Sequence, residues 1–108
     1  MNYNVLVTDF FERELKALAK KHRSLKKDLA GLIEQLEEQP ITGTELGNNC
    51  YKIRLAITSK GKGKSGGARI ITHVRVTNTT VYLLSIYDKS DLDNISDNTI
   101  KERLKGLE

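Results

Sequence analysis

A chain of 108 residues with 38% hydrophobic content can bury one modest core and not two, so a single domain spanning 1–108 is expected. No apolar run approaches a membrane span, Met1-Asn2-Tyr3-Asn4-Val5 has neither a basic leader nor a signal-type apolar stretch, and one cysteine with two histidines supplies neither an internal disulfide nor a metal-ligand spacing. The expectation is a soluble cytoplasmic protein with no membrane contact, no metal and no cofactor, whose formal charge of +4 turns attention to how its cations are distributed.

In chain order, Val5 to Val7 reads as a short strand. Thr8 or Asp9 then caps a helix, with Glu12 three residues after Asp9 in a capping-box pattern and Phe11, Leu15 and Leu18 on one face. Ser24 starts a second helix in which Leu25, Leu29, Leu32, Ile33 and Leu36 recur at helical spacing until Pro40 forbids continuation. After the turn residues Gly43, Gly47, Asn48 and Asn49 the period changes to two. Tyr51, Ile53, Leu55 and Ile57 face one way, Lys52 and Arg54 the other. Ala68 to Val76 is a second strand, with Ile70, Thr72, Val74 and Val76 on one side and Arg69, Ile71, His73 and Arg75 on the other. Asn78 and Thr79 turn into a third, Val81 to Tyr87, whose near-continuous apolar character suits a central position. Ser96 or Asp97 caps a final short helix carrying Ile100, Leu104 and Leu107. The order is β-α-α-β-β-β-α, an α+β fold with an antiparallel sheet against two N-terminal helices.

Between the first two of those paired strands lies Ser59-Lys60-Gly61-Lys62-Gly63-Lys64-Ser65-Gly66-Gly67, too long for a tight hairpin and of a composition that predicts mobility. Gly63-Lys64-Ser65 superficially looks like a nucleotide-binding phosphate loop. The earlier glycine which that motif requires is replaced by Thr58, and a strand rather than a helix follows, so the reading is rejected. A basic loop able to follow a phosphate backbone remains.

The cations cluster at Lys16, Lys20, Lys21, Arg23, Lys26 and Lys27, at Lys52 and Arg54, at Lys60, Lys62 and Lys64, and at Arg69 and Arg75. Much of the acid lies apart, in Glu34, Glu37, Glu38, Asp88, Asp91, Asp93 and Asp97. Such segregation suits a polyanion, although any one cluster is as well explained by a solvated face. Lys52 and Arg54 leave the same side of a strand about 7 Å apart. Arg69 joins them if the neighbouring strand is in register, and Lys89 follows the end of the third. Four convergent cations without an interleaved carboxylate disfavour one another, and a bound anion resolves the conflict. His73 shares a face with Arg69 and Arg75, where packing competes with a binding role. Tyr87, at a strand end, is placed to stack on a base or donate a proton. Cys50 is expected to be a small buried residue, since no histidine is placed by sequence to activate it.

The order and spacing of these segments resemble the RelE/ParE toxin superfamily over nearly the whole chain. Cys50-Tyr51-Lys52-Ile53-Arg54-Leu55 is similar to the Tyr-Lys-Ile-basic strand of RelE toxins, and Gly67-Ala68-Arg69-Ile70-Ile71 to their Gly-x-Arg strand. Ser59 to Arg69 with Ile86-Tyr87-Asp88-Lys89 looks more like the HigB-like members. The resemblance implies a type II toxin that enters the ribosomal A site and cuts messenger RNA there without metal, the ribose 2′-hydroxyl attacking the adjacent phosphate. The implied catalytic set is Lys52 as general base, Arg54 and Arg69 on the phosphorane oxygens, and Lys89 or Tyr87 as the acid. Ile95 stands where RelE toxins carry a tyrosine near the last helix, so Tyr87 would have to substitute.

Lys20, Lys21, Arg23, Lys26, Lys27, Lys60, Lys62 and Lys64, with His73 and Arg75, are the expected contacts to ribosomal and messenger RNA. The resemblance also implies a cognate antitoxin, commonly a helix-turn-helix protein, through which alone operator DNA would be met. Two rivals share parts of the pattern: a ParE-like gyrase inhibitor, against which the joint presence of Lys52, Arg54 and Arg69 argues, and a non-catalytic RNA-binding module.

Overall fold

The structure, a computed structural model, describes residues 2–92 and 94–107, so the acidic Asp93 lies outside it. Five strands form one sheet: β1 (Asn4–Val7), β2 (Thr44–Gly47), β3 (Cys50–Leu55), β4 (Ala68–Arg75) and β5 (Thr80–Asp88), in spatial order β1-β5-β4-β3-β2. All neighbours are antiparallel except β1, which runs parallel to β5. Helices α1 (Asp9–Ala19) and α2 (Leu25–Glu38) cover one face, and α3 (Asp97–Lys105) lies on the other. The expected α+β order is present, with β2 added between α2 and β3.

Helix α1 starts at Thr8, whose Oγ1 accepts from the Phe11 amide at 3.3 Å and donates to the Leu83 carbonyl at 2.8 Å. That bond ties the helix start to β5. Thr8 and not Asp9 is the cap, which puts Phe11 where a capping box needs a glutamate, so only the Thr8 half of that pattern is present. In α2, Leu25, Leu29, Leu32 and Leu36 are buried and meet Phe11 and Leu18 of α1 above Ile53, Ile70, Val74, Val81, Leu83 and Ile86. A smaller cluster of Cys50, Ile71, Leu84 and Tyr87 fills the opposite face beneath Ile100, with Ile95, Leu104 and Leu107 at its rim. Ser96 caps α3 by accepting from the Thr99 amide. Because both faces are covered, β4 is buried along nearly its whole length, as a strand in mid-sheet requires.

Two local features depart from simple alternation. Ile71 pairs with Ser85 but Thr72 with Leu83, so Leu84 is an extra residue on β5 and the strand bulges there. The bulge lets Leu83 and Ile86 face α1 and α2 while Leu84 and Tyr87 face α3. Val76, expected to extend β4 on its core side, instead opens a 3-10 turn and is 66% exposed. Beyond Leu83, β5 has no β1 partner on its outer edge. Arg103 of α3 donates to the Leu84 carbonyl at 2.8 Å, and Glu14 of α1 accepts from the Ile86 amide at 3.4 Å, the two side chains being paired at 2.6 Å. This pair closes an edge that would otherwise stay open.

Candidate functional site

The register of the three central strands decides which cations meet. Arg54 stands directly opposite Arg69, and Arg69 directly opposite Tyr87, so these three form one row across β3, β4 and β5 on the α3 face. Lys52 lies in the next row, opposite Ile71. Residues directly opposite in an antiparallel pair have Cβ atoms about 5 Å apart, and like charges there are mutually destabilising. Among the described residues no carboxylate forms a salt bridge with Lys52, Arg54, Arg69 or Lys89.

The members of the row differ in setting. Arg54 is exposed, while Arg69 is 3% exposed. The Arg69 guanidinium is held by backbone carbonyls, Nη1 donating to Lys64 O at 2.8 Å and Ala68 O at 3.1 Å, and Nη2 to Ser65 O at 3.3 Å. Three of its five N–H groups are thereby used. Among the described residues Nε–H and one Nη2 hydrogen have no partner, which leaves two charged donors for an anion's oxygens. Lys52 Nζ donates to Asn94 Oδ1 at 3.0 Å, which brings the segment before α3 beside it.

Tyr87 is buried against the α3-side cluster, and among the described residues its hydroxyl closes no hydrogen bond of good geometry. Burial pushes its phenol above the ordinary value, while the Ile95 backbone and the Arg69 charge pull it partly back. The group therefore stays protonated near neutral pH. Ile95 packs against this same cluster, so the row's aromatic ring comes from the strand end and not from the approach to α3. Lys89 is half-buried, its amide donating to Gly67 O at 3.1 Å, which sets it beside the start of β4.

The cations expected to grip RNA fall into three settings. Lys20, Lys21, Arg23, Lys26 and Lys27 are all exposed, and Lys20, Arg23 and Lys26 join Lys16 and Ala19 around a hollow of about 400 Å3 at the helix connection. Lys62 and Lys64 are exposed on the glycine-rich loop. Lys64 also lines, with Arg54, a groove of about 640 Å3 along the part of β3 that β2 leaves uncovered. Lys60 differs from its neighbours, since its ammonium pairs with Asp88 at 3.0 Å and turns into the fold. His73 and Arg75 lie at the far end of β4, four and six residues from Arg69, or about 13 and 20 Å along the strand. Arg75 sits over the Tyr82 ring at 5.2 Å and donates to His73 Nε2 at 3.4 Å.

Sequence reasoning passed over Asp88 and His22. Asp88, 3% exposed, accepts from His22 at 2.9 Å, from Lys60, and from Ser90 through both amide and hydroxyl. Burial alone would raise its carboxyl, yet the hydrogen bonds from Ser90, Lys60 and His22 outweigh it and hold the group well below the usual carboxylate range. No local pattern joins residues 66 and 28 positions apart. Cys50 also gains an unexpected neighbour, as His73 stands opposite it with Nδ1 3.6 Å from the sulfur. The Cys50 thiol is pushed up to about 11 by burial, and burial followed by the Arg75 charge lowers the His73 imidazole, so the pair is not an activated nucleophile.

Among the described residues no helix is long and apolar enough to cross a membrane. The fold matches toxin RelE of E. coli, a double-arginine mutant in the free state, at a TM-score of 0.66 and 19% identity over 100% of both chains. It matches a structure of the same E. coli toxin in complex with a peptide of its antitoxin RelB at 0.57 and 22%, over 94% of each chain. The RelBE2 toxin-antitoxin complex of Mycobacterium tuberculosis is similar at 0.58 and 17%, over 82% of this chain and 99% of that one. These likenesses establish the fold. The model of the RelE toxin of the RelE/RelB toxin-antitoxin system matches residues 6–106, and the chain accordingly belongs to the RelE toxin family.

Proposed function

We propose that this toxin is a metal-independent endoribonuclease that cuts messenger RNA in the ribosomal A site and so halts translation. The observation that carries the reading is the cross-strand pair Arg54–Arg69, two cations face to face with no carboxylate between them among the described residues. An arrangement that disfavours itself is relieved by a phosphodiester.

In the proposed reaction Lys52 takes the proton of the ribose 2′-hydroxyl, whose oxygen forms a bond to the adjacent phosphorus as the bond to the 5′-oxygen breaks. The products are a 2′,3′-cyclic phosphate and a 5′-hydroxyl. Arg54 and the remaining N–H donors of Arg69 stabilise charge on the phosphorane oxygens. Tyr87, kept protonated by burial, or Lys89 beside it, supplies the proton to the leaving oxygen. Lys20, Lys21, Arg23, Lys26 and Lys27, with Lys62 and Lys64, follow ribosomal RNA without sequence readout, an affinity that falls with salt. In the cytoplasm a cognate antitoxin of acidic or amphipathic character covers the cationic face, and operator DNA is met only through it.

Primer extension on a translated message, with wild type and Arg69→Ala, tests the reading. Codon-register cuts are expected from the wild type, and about a hundredfold fewer from the variant, on the order of 3 kcal/mol of transition-state stabilisation. Cleaved gyrase complexes in place of RNA cuts, or ribosome binding with neither, would overturn it.

A further inference from the structure

The loop between β3 and β4 passes around the end of the sheet and is fastened on both faces. On the α1–α2 face its first residues form a 3-10 turn tied to α2: the Thr58 amide and hydroxyl donate to Asp28, and the Ser59 amide donates to Ser24 Oγ. Lys60 follows, with Nζ 3.0 and 3.3 Å from the two carboxylate oxygens of Asp88. Asp88 belongs to this face, since strand alternation carries it with Ile86, and its cross-strand partner Ala68 lies in the same core. Two turns at positive φ, Gly61 at 70° and Gly63 at 64°, then take the chain over to the other face. There the Lys64 and Ser65 carbonyls hold Arg69. Gly67 closes the loop so tightly against the Leu55 carbonyl that a Cβ has no room.

We propose that Asp88 and Lys60 are positioning residues, whose partly buried ion pair anchors the loop on one face of the sheet and thereby holds Arg69 ready for phosphate on the other. This rests on Arg69 being the phosphate-binding group. Thr58 and Ser59 already tie the loop to α2, so a further tie at Lys60 is not needed to attach the segment. What Lys60 adds is the last fixed point on the incoming side of the carbonyls that clasp Arg69, four residues ahead of Lys64. Its ammonium, shared between Asp88 and Ser90, is committed to that task and is not offered to a polyanion. Displacing a phosphate-binding group by about 1 Å can cost as much as about a hundredfold in rate, which is the leverage available to such an anchor.

The test compares Lys60→Met, Lys60→Arg and Asp88→Asn with wild type, at temperatures where circular dichroism shows each to be folded. In the free protein, the Arg69 Nη resonances, whose protons the Lys64 and Ser65 carbonyls hold, are expected to be resolved and slow to exchange in wild type and Lys60→Arg, and averaged in Lys60→Met and Asp88→Asn. On ribosomes programmed with a short message, Lys60→Met should cut at least about tenfold more slowly at saturation, with half-saturation within about threefold of wild type and Lys60→Arg restoring the rate. In an Arg69→Ala background the same change should add less than about twofold. A faster Lys60→Met would make the loop a lid, a loss of affinity alone would make Lys60 an RNA contact, and an unaltered Arg69 resonance would reduce the pair to a helix–sheet tie; each overturns the proposal. If wild type itself fails to cut, the functional reading falls, and the resonance alone decides whether the anchor holds Arg69.

Discussion

The two ends of β4 carry similar side chains on the same face and use them in opposite ways. At one end Arg69 faces Arg54 and Tyr87, and backbone carbonyls hold its guanidinium while part of its donor set stays unclaimed. At the other, Arg75 lies over Tyr82 and donates to His73, which in turn meets Cys50. A carbonyl clasp orients an arginine without cancelling its charge. An aromatic neighbour and a neutral imidazole spend it on packing. Residue type and strand parity are alike at both ends, so what separates a guanidinium with donors left over from one engaged by a ring and an imidazole is the neighbour.

The sharpest way to break this contrast is at Asp88, on the reverse side of the Arg69 end. Its carboxyl, with a reference value of 3.8, is held well below the usual range in the folded protein. A depressed value stabilises the fold above the unfolded-state pKa and loses that contribution as pH falls toward the folded one. Asp88→Asn is therefore expected to lower stability by about 2 kcal/mol at neutral pH, less than for a fully buried pair because His22 and Lys60 each keep 15% exposure. For a domain of this size that is a melting-point drop of about 10 °C. Thermal melts from pH 7 down to about 2 should show wild type and variant converging in the acid range; a constant gap would mean that the charge on Asp88 contributes nothing.

Most of the fold could be read from periodicity, because helices α1 and α2 and strands β3 to β5 each present a regular apolar face. Strand β2 could not. All four of its residues are exposed, so no alternation marks it, and it exists because Asn48 and Asn49 both adopt positive φ, at 54° and 59°, in the two-residue turn that matches strand twist. The sequence shows the turn residues but not that they bend the chain back upon itself. At the site, parity puts Lys52 and Arg54 on one face, and the register of β4 adds Arg69. The clasp on Arg69 escapes such reasoning, since its acceptors are main-chain carbonyls of a loop whose composition suggests only mobility. That loop begins instead in a turn pinned to Asp28, Ser24 and Asp88, through side chains no local pattern connects.

A gentler probe of the contrast is Arg75→Ala. Losing the contact over Tyr82 and the bond to His73 should cost about 1 kcal/mol of stability. Cleavage in the primer-extension assay should stay within about threefold of wild type, because the guanidinium is removed from the Arg54–Arg69 row by about 20 Å of strand. A loss approaching that of Arg69→Ala would mean that RNA runs along the entire length of β4, and the distinction between its ends would disappear.

The smallest effect is expected at Cys50, where the distance to His73 invites a different chemistry. A cysteine–histidine nucleophile works as thiolate and imidazolium, and both charged forms are disfavoured here. Burial raises the thiol to about 11, while burial and the nearby Arg75 charge lower the imidazole, the Asn48 backbone offsetting this only in part. At pH 8 the folded protein should resist iodoacetamide and react only once guanidinium has unfolded it, and Cys50→Ala should cut RNA within about twofold of wild type. Rapid alkylation of the folded chain would show a thiolate that its surroundings ought to forbid, and would move the chemistry from the arginine row to the opposite end of the same strand.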